Sequence, residues 1–194
     1  VEVSAALLQR QGLTGTGIKQ ILAEAEAPFS SLYHHFPGGK DELAAAAIRV
    51  AGARYQALVE AVWDQAPDAM SSVAAVFDGA AATLESTDYA VACPIATVAL
   101  EVASTNEQLR ETTAEVFDAW IAAGTARFEA EGISPSDSRG LAITLISLLE
   151  GAFILSQSLK STEPVRAAGA TAVAAARTAL DSPAATPHPG AMHP

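Results

Sequence analysis

The sequence predicts an all-α fold. A three-helix unit with a helix-turn-helix is expected over 1–47, a larger helical unit over 48–181, and a disordered tail over 182–194, with about nine helices in all. Three observations predict it. Alanine is abundant and β-branched runs are short, which favours helix over strand. Apolar residues recur at helical spacing through most of the chain. Gly and Pro cluster between these periodic stretches, where they end one helix and open the next. Half of the 194 residues are hydrophobic and the mean hydropathy is +0.25, so the chain can bury a sizeable core.

The first helix is expected over 3–11, with Ala6 and Leu7 inward and Gly12 as its stop. Thr16 reads as the N-cap of a second helix over 16–25, whose apolar face is Ile18, Ile21 and Leu22. Pro28 opens a short third helix to about His35, with Leu32 and Phe36 inward and Ser30, Ser31, Tyr33 and His34 outward. The turn Pro37-Gly38-Gly39 leads into a long fourth helix over 40–65, which Pro67 breaks. This helix carries two stripes: Leu43, Ala47, Val50, Arg54, Leu58 and Val62 on one side, and Tyr55, Val59 and Trp63 on another. Two stripes imply contacts on two sides, as in a connector between two units.

The fifth helix is expected over 68–87, with Val73, Phe77, Ala80 and Leu84 inward, and Pro94 opens a sixth to about Ala103. Ser104 to Gln108 offers a capping box for a seventh helix that Gly132 ends. Ser134-Pro135-Ser136-Asp137 places an N-cap, a Pro at the first helical position and an acid three residues on, so an eighth helix starts there and runs to about Gln157. Thr162-Glu163-Pro164 opens the ninth, to about Leu180. The tail after Asp181 holds four of the ten prolines and two histidines, His188 and His193, without periodicity.

Two short helices with a tight connection can set the second into a DNA major groove. Ser30 and Ser31 are small and polar, so the backbone can approach base edges; Lys19, Tyr33, His34 and Lys40 can donate to phosphates, and Thr16 sits at a helix start. The alternative is a small helical hairpin with solvated polar residues. Charge argues for that alternative: the chain carries −11, and residues 1–48 have three basic against five acidic side chains, a net of −2.

The stretch Ser31-Leu32-Tyr33-His34-His35-Phe36-Pro37-Gly38-Gly39-Lys40-Asp41-Glu42-Leu43 resembles the end of the DNA-binding domain of TetR-family transcriptional regulators, and Ala92 to Glu101 resembles the LmrA/YxaF-like branch. The resemblance implies a homodimeric, ligand-responsive repressor. Residues 1–47 would bind a double-stranded DNA operator, and 48–181 would bind a small effector and dimerise. It implies a basic arm ahead of the first helix, before Val1. It assigns DNA contacts to Thr16, Lys19, Phe29, Ser30, Ser31, Tyr33, His34 and Lys40. Two positions depart from the pattern. Glu26 stands where relatives often have glycine, so a non-glycine must tolerate the turn and its carboxylate repels phosphates. Phe29 stands where a basic or small polar residue is common; its ring either meets a thymine methyl or packs on its own domain.

In the larger unit, Trp63, Phe77, Tyr89, Cys93, Phe117, Trp120 and Phe153 fall mostly on inward stripes. Such residues ordinarily form core; the resemblance implies an effector cavity between the fourth and eighth helices that they line. Glu150 lies inside Leu145 to Leu155, so it must be paired, protonated or wet. It faces the cavity, a subunit interface, or solvent at a helix edge. The apolar eighth helix and the Ala-rich ninth, with Ala168, Ala172 and Ala176, would pair with a second copy as a four-helix bundle.

Other classes fare worse. No glycine-rich phosphate loop, metal-ligand pair with a third ligand, or nucleophile with an evident base is visible, so neither an enzyme nor a metal or cofactor is expected. Cys93 beside Pro94 reads as a buried or cavity-lining thiol. A single cysteine and no visible signal peptide suit the cytoplasm. The apolar run 141–159 approaches a membrane span in length, but Glu150 sits in its middle and a buried helix is expected instead. A competing reading is a small-molecule-binding helical dimer with weak or lost DNA binding, which the acidic charge, Glu26 and Phe29 favour.

Overall fold

Helix starts follow the side chains available to satisfy free backbone N–H groups. The computed structural model describes residues 1–91 and 93–181, and its regular elements there are all helices: α1 (Glu2–Gly15), α2 (Ile18–Glu24), α3 (Phe29–His35), α4 (Lys40–Gln65), α5 (Ala69–Ser86), α6 (Pro94–Val102), α7 (Glu107–Ala130), α8 (Pro135–Leu159) and α9 (Glu163–Asp181). The expected tail, with His188 and His193, lies outside the described residues.

Asp68 caps α5 by accepting the Ser71 N–H at 2.8 Å. Ser134 caps α8 through the Asp137 N–H, as its local pattern predicts. α7 starts under Asn106, not Ser104, because the Asn106 side chain accepts the Leu109 N–H at 3.1 Å while its amide donates to Asp41. α8 runs to Leu159 and stops at Lys160, whose φ of 51° is left-handed.

Two apolar clusters organise the chain. Leu7, Ile21, Leu32 and Leu43 bind α1, α2, α3 and the start of α4, with Ile18, Leu22 and Phe36 packed against them. A larger cluster runs through the rest, with Leu8 and Ile48 at one end and Phe77, Phe128, Phe153 and Val165 further along. α1 serves both: it packs on α2, α4 and α6 and buries Ser4, Ala5, Leu7 and Leu8. Ala6, expected inward, is exposed because these contacts lie on the other sides of the helix.

α4 and α7 cross at Gly52. A Cβ there would lie 2.5 Å from Val116 Cγ1, so only glycine permits this approach. The Trp120 indole N–H donates to the Gly52 carbonyl at 3.0 Å and fixes the crossing. α8 is long and apolar enough to cross a membrane by length and composition, yet it packs between α7 and α9. Ile143, Ile154, Leu155 and Leu159 remain exposed along its free side.

Candidate nucleic-acid interface and ligand cavity

α3 is anchored by Leu32, which is 3% exposed, and presents the opposite face. Phe29 and Tyr33 are exposed with ring centroids 5.5 Å apart, so Phe29 packs on its own domain through Tyr33. Ser30 and His34 are exposed, Ser31 is half-buried, and Lys19 is exposed on α2. These six expected contact residues are therefore accessible, fully or in part, on the surface of the three-helix unit. Glu26 sits in the α2–α3 turn at φ 50°, a left-handed conformation that costs a non-glycine residue about 1 kcal/mol or more.

Two expected contacts are placed differently. Thr16 is fully buried, its hydroxyl donates to the Gly12 carbonyl at 2.6 Å, and Gly17 is the N-cap of α2 instead. Thr16 therefore closes the end of α1 and offers no side-chain donor to a phosphate. Lys40 is half-buried and its ammonium donates to the Leu13 carbonyl at 2.7 Å, tying the start of α4 to α1.

The reason for both is a kink that local sequence does not reveal. α1 does not stop at Gly12; the backbone turns there at φ 68° and helix resumes to Gly15. The turn frees the Leu13 and Thr14 N–H groups, and both donate to Glu101 of α6 at 2.8 Å. A Cβ at Gly12 would fall 1.9 Å from Glu101 Oε1. Burial pushes the Glu101 carboxyl up, but the hydrogen bonds from Thr14 and Leu13 and the nearby Lys40 charge outweigh it and hold it below the usual carboxylate range. Glu101 is thus an ionised clamp between the two units.

The second site is an apolar cavity of about 120 Å³ between α4, α5, α7 and α8. α4 contributes Tyr55, Gln56, Val59, Glu60 and Trp63; α5 contributes Val73, Val76 and Phe77; α7 contributes Trp120, Gly124, Arg127 and Phe128; α8 contributes Leu145, Leu149 and Glu150. Tyr55 and Trp120 rings lie 5.3 Å apart, and Trp63 meets Phe128 edge-on at 5.1 Å.

Four expected ligand residues, Trp63, Phe77, Trp120 and Glu150, are in this wall. Four are not. Phe117 stacks edge-on behind Trp120 at 5.6 Å, and Phe153 is buried in the core. Tyr89 lies in the turn after α5, where its carbonyl accepts from Gln157 and its ring faces the Lys160 ammonium. Cys93 is buried behind Glu150, its thiol directed at that carboxyl. The wall residues missed from the expected set, Tyr55 and Val59 above all, are the second stripe of α4.

Glu150 faces the cavity, not a helix edge. Burial raises its carboxyl to about 7, against a smaller lowering by the hydrogen bond with Cys93. Burial, with the Glu150 charge second, pushes the Cys93 thiol up, so it stays protonated and unreactive. Burial also raises the Tyr55 phenol, followed by the charges of Cys93 and Glu150.

Comparison with known proteins settles the family. Residues 1–47 match the model for bacterial regulatory proteins of the tetR family, and residues 69–171 match the C-terminal domain of LmrA/YxaF-like transcriptional regulators. The chain belongs to the TetR family. Within it, the chain falls in the LmrA/YxaF-like branch and is a DNA-binding transcriptional regulator, not an enzyme. It is 35% identical over 169 residues to an HTH-type transcriptional regulator of Mycobacterium tuberculosis, covering 84% of this chain and 85% of the relative. YxaF of Bacillus subtilis is 30% identical over 165 residues, covering 85% and 86%. Among solved structures, a TetR transcriptional regulator from Chloroflexus aurantiacus superposes with a TM-score of 0.74 at 26% identity, covering 89% of each chain.

Proposed function

We propose that this regulator is a homodimeric repressor whose residues 1–47 read a double-stranded operator, and whose residues 48–181 bind a small apolar or amphipathic effector and dimerise. The observation that carries this is the double role of α4. Its middle lines the cavity with Tyr55, Val59 and Trp63, and its first residue, Lys40, holds α1 of the reader. An effector that fits the cavity better when α4 is displaced shifts the population toward that state and away from DNA, by no more than its differential affinity. α6 adds a parallel path: its N-cap, Cys93, touches Glu150, and Glu101 near its other end clamps α1.

The exposed apolar side of α8, with Ile143, Ile154, Leu155 and Leu159, supports dimerisation with a second copy through α8 and α9. Lys19, Phe29, Ser30, Ser31, Tyr33 and His34 are the proposed operator contacts. The cytoplasm, where DNA lies in bacteria, is the proposed location. A second reading, a ligand-binding dimer with weakened DNA reading, is favoured by Glu26 and by the engagement of Lys40 within the protein.

The test is binding to a labelled DNA fragment from upstream of the protein's own gene across a salt series. Tight, sequence-selective binding that weakens steeply with salt is expected, since each phosphate contact releases a counterion. Weak binding that is equal on unrelated DNA overturns the repressor reading in favour of the second.

A further inference from the structure

We infer that the effector is an organic amine, with an aryl body for the cavity's apolar walls and one protonated nitrogen for the Glu150 carboxylate. This rests on the cavity being the effector site.

The polar groups in the wall are mostly engaged already. Gln56 donates to Glu60 at 2.9 Å, Arg127 pairs with Asp64 at 2.6 Å, and the Trp120 N–H is held by Gly52. Glu150 differs. Its hydrogen-bond partner is the Cys93 thiol, a weak donor, and an ionised carboxylate has capacity for several strong ones. A ligand that completes Glu150 must bring a donor.

Charge narrows the class. Glu60 and Glu150 both line the cavity, against one guanidinium, Arg127, that Asp64 already neutralises. These carboxylates repel an anionic ligand and attract a cationic one. Trp63, Trp120 and Tyr55 offer ring faces that attract a cation further. The volume, about 120 Å³, limits the enclosed body to roughly one aromatic ring, since a cavity of about 150 Å³ takes benzene.

Proton release follows. The ionisable groups that line the cavity with Glu150 are Tyr55 and Glu60 from α4 and Arg127 from α7, and Cys93 ahead of α6 lies against it. Tyr55 and Cys93 are held neutral by burial, so Glu150 is the group beside the ammonium whose ionisation changes near neutrality. An ammonium stabilises the ionised carboxylate, so binding near pH 7 expels about half a proton.

The experiment titrates the full-length protein with 2-phenylethylamine, 2-phenylethanol and phenylacetate. Fluorescence of Trp63 and Trp120 and calorimetry in buffers of different ionisation enthalpy report the binding. The amine should bind at least about tenfold tighter than the alcohol and release a proton, and phenylacetate should not bind. Glu150→Gln should remove the amine's advantage over the alcohol and the proton release; Glu150→Asp should retain part of both. Equal binding of amine and alcohol, insensitive to Glu150→Gln, overturns the amine and leaves the cavity as an effector site. Failure of all three probes to bind at millimolar concentration overturns both.

Discussion

Replacing Glu150 by Gln should stabilise the empty protein by an amount that grows as pH rises from about 4.5 to 7. In the unfolded chain the carboxyl ionises near 4.5, whereas in the folded chain it does so near 7. Below 4.5 both states hold the proton and burial carries no ionic cost. Between 4.5 and 7 the unfolded state loses its proton first, and stability falls as pH rises. Above 7 the loss is complete, and at 1.36 kcal/mol per pH unit it amounts to about 3 kcal/mol. Glutamine keeps the shape and a hydrogen-bond acceptor for Cys93 but cannot ionise. Urea unfolding of wild type and Glu150→Gln at pH 5 and pH 8, at one protein concentration, measures it. The variant should gain on the order of 2–3 kcal/mol more at pH 8 than at pH 5. An equal gain at both values, or none, refutes the assignment of burial as the cause of the high carboxyl pKa.

Other variants test other links. Glu101→Ala removes the acceptor of the Leu13 and Thr14 N–H groups, so hydrogen exchange at those two amides should accelerate at least about tenfold while α7 and α8 are unchanged; unchanged exchange means the clamp is not maintained in solution. Because the Glu101 carboxyl is held low, the clamp should persist from neutral pH through the usual carboxylate range and fail only as pH falls through its lowered value, a course the same exchange experiment follows. Glu26→Gly should relieve the left-handed turn and stabilise by about 1 kcal/mol in thermal or urea unfolding, and should tighten DNA binding by removing a carboxylate beside the reader. Gly52→Ala should cost about 1–3 kcal/mol by overpacking against Val116, and Val116→Ala should recover much of it in the double variant, as measured by unfolding.

The parts of this molecule that local chemistry decides could be read from its sequence. Gly39 and Lys40 mark the start of α4, Ala66 and Pro67 its end, and the expected span agrees with the observed one. The odd acid at 150 was visible as a residue requiring an explanation. What escaped depended on partners far along the chain. Thr16 looked like an N-cap because that pattern is local; its hydroxyl instead closes a kink held by Glu101, a residue 88 positions from Leu13. The cavity posed the same difficulty. Periodicity separates inside from outside, but it does not tell the wall of a cavity from the core behind it. Phe117 and Phe153 share the inward character of Trp120 and Trp63; the angles at which the helices cross decide which rings border empty space.

The glycine crossing of α4 and α7 also sets a mechanical advantage. With the backbones nearly touching at Gly52, that point is the natural fulcrum of a stiff rod. Val59 in the cavity wall lies seven residues to one side, about 10 Å along the axis, and Lys40 lies twelve residues to the other, about 18 Å. A sideways push of 1 Å by an occupant at Val59 therefore swings the Lys40 end by roughly 1.7 Å the opposite way, a rotation of about 6°. In a pair of such rods the two ends move together, and the spacing between two readers changes by up to roughly twice that amount. In the proposed dimer, a cavity no larger than a ring would thus gauge a distance that spans a turn of DNA.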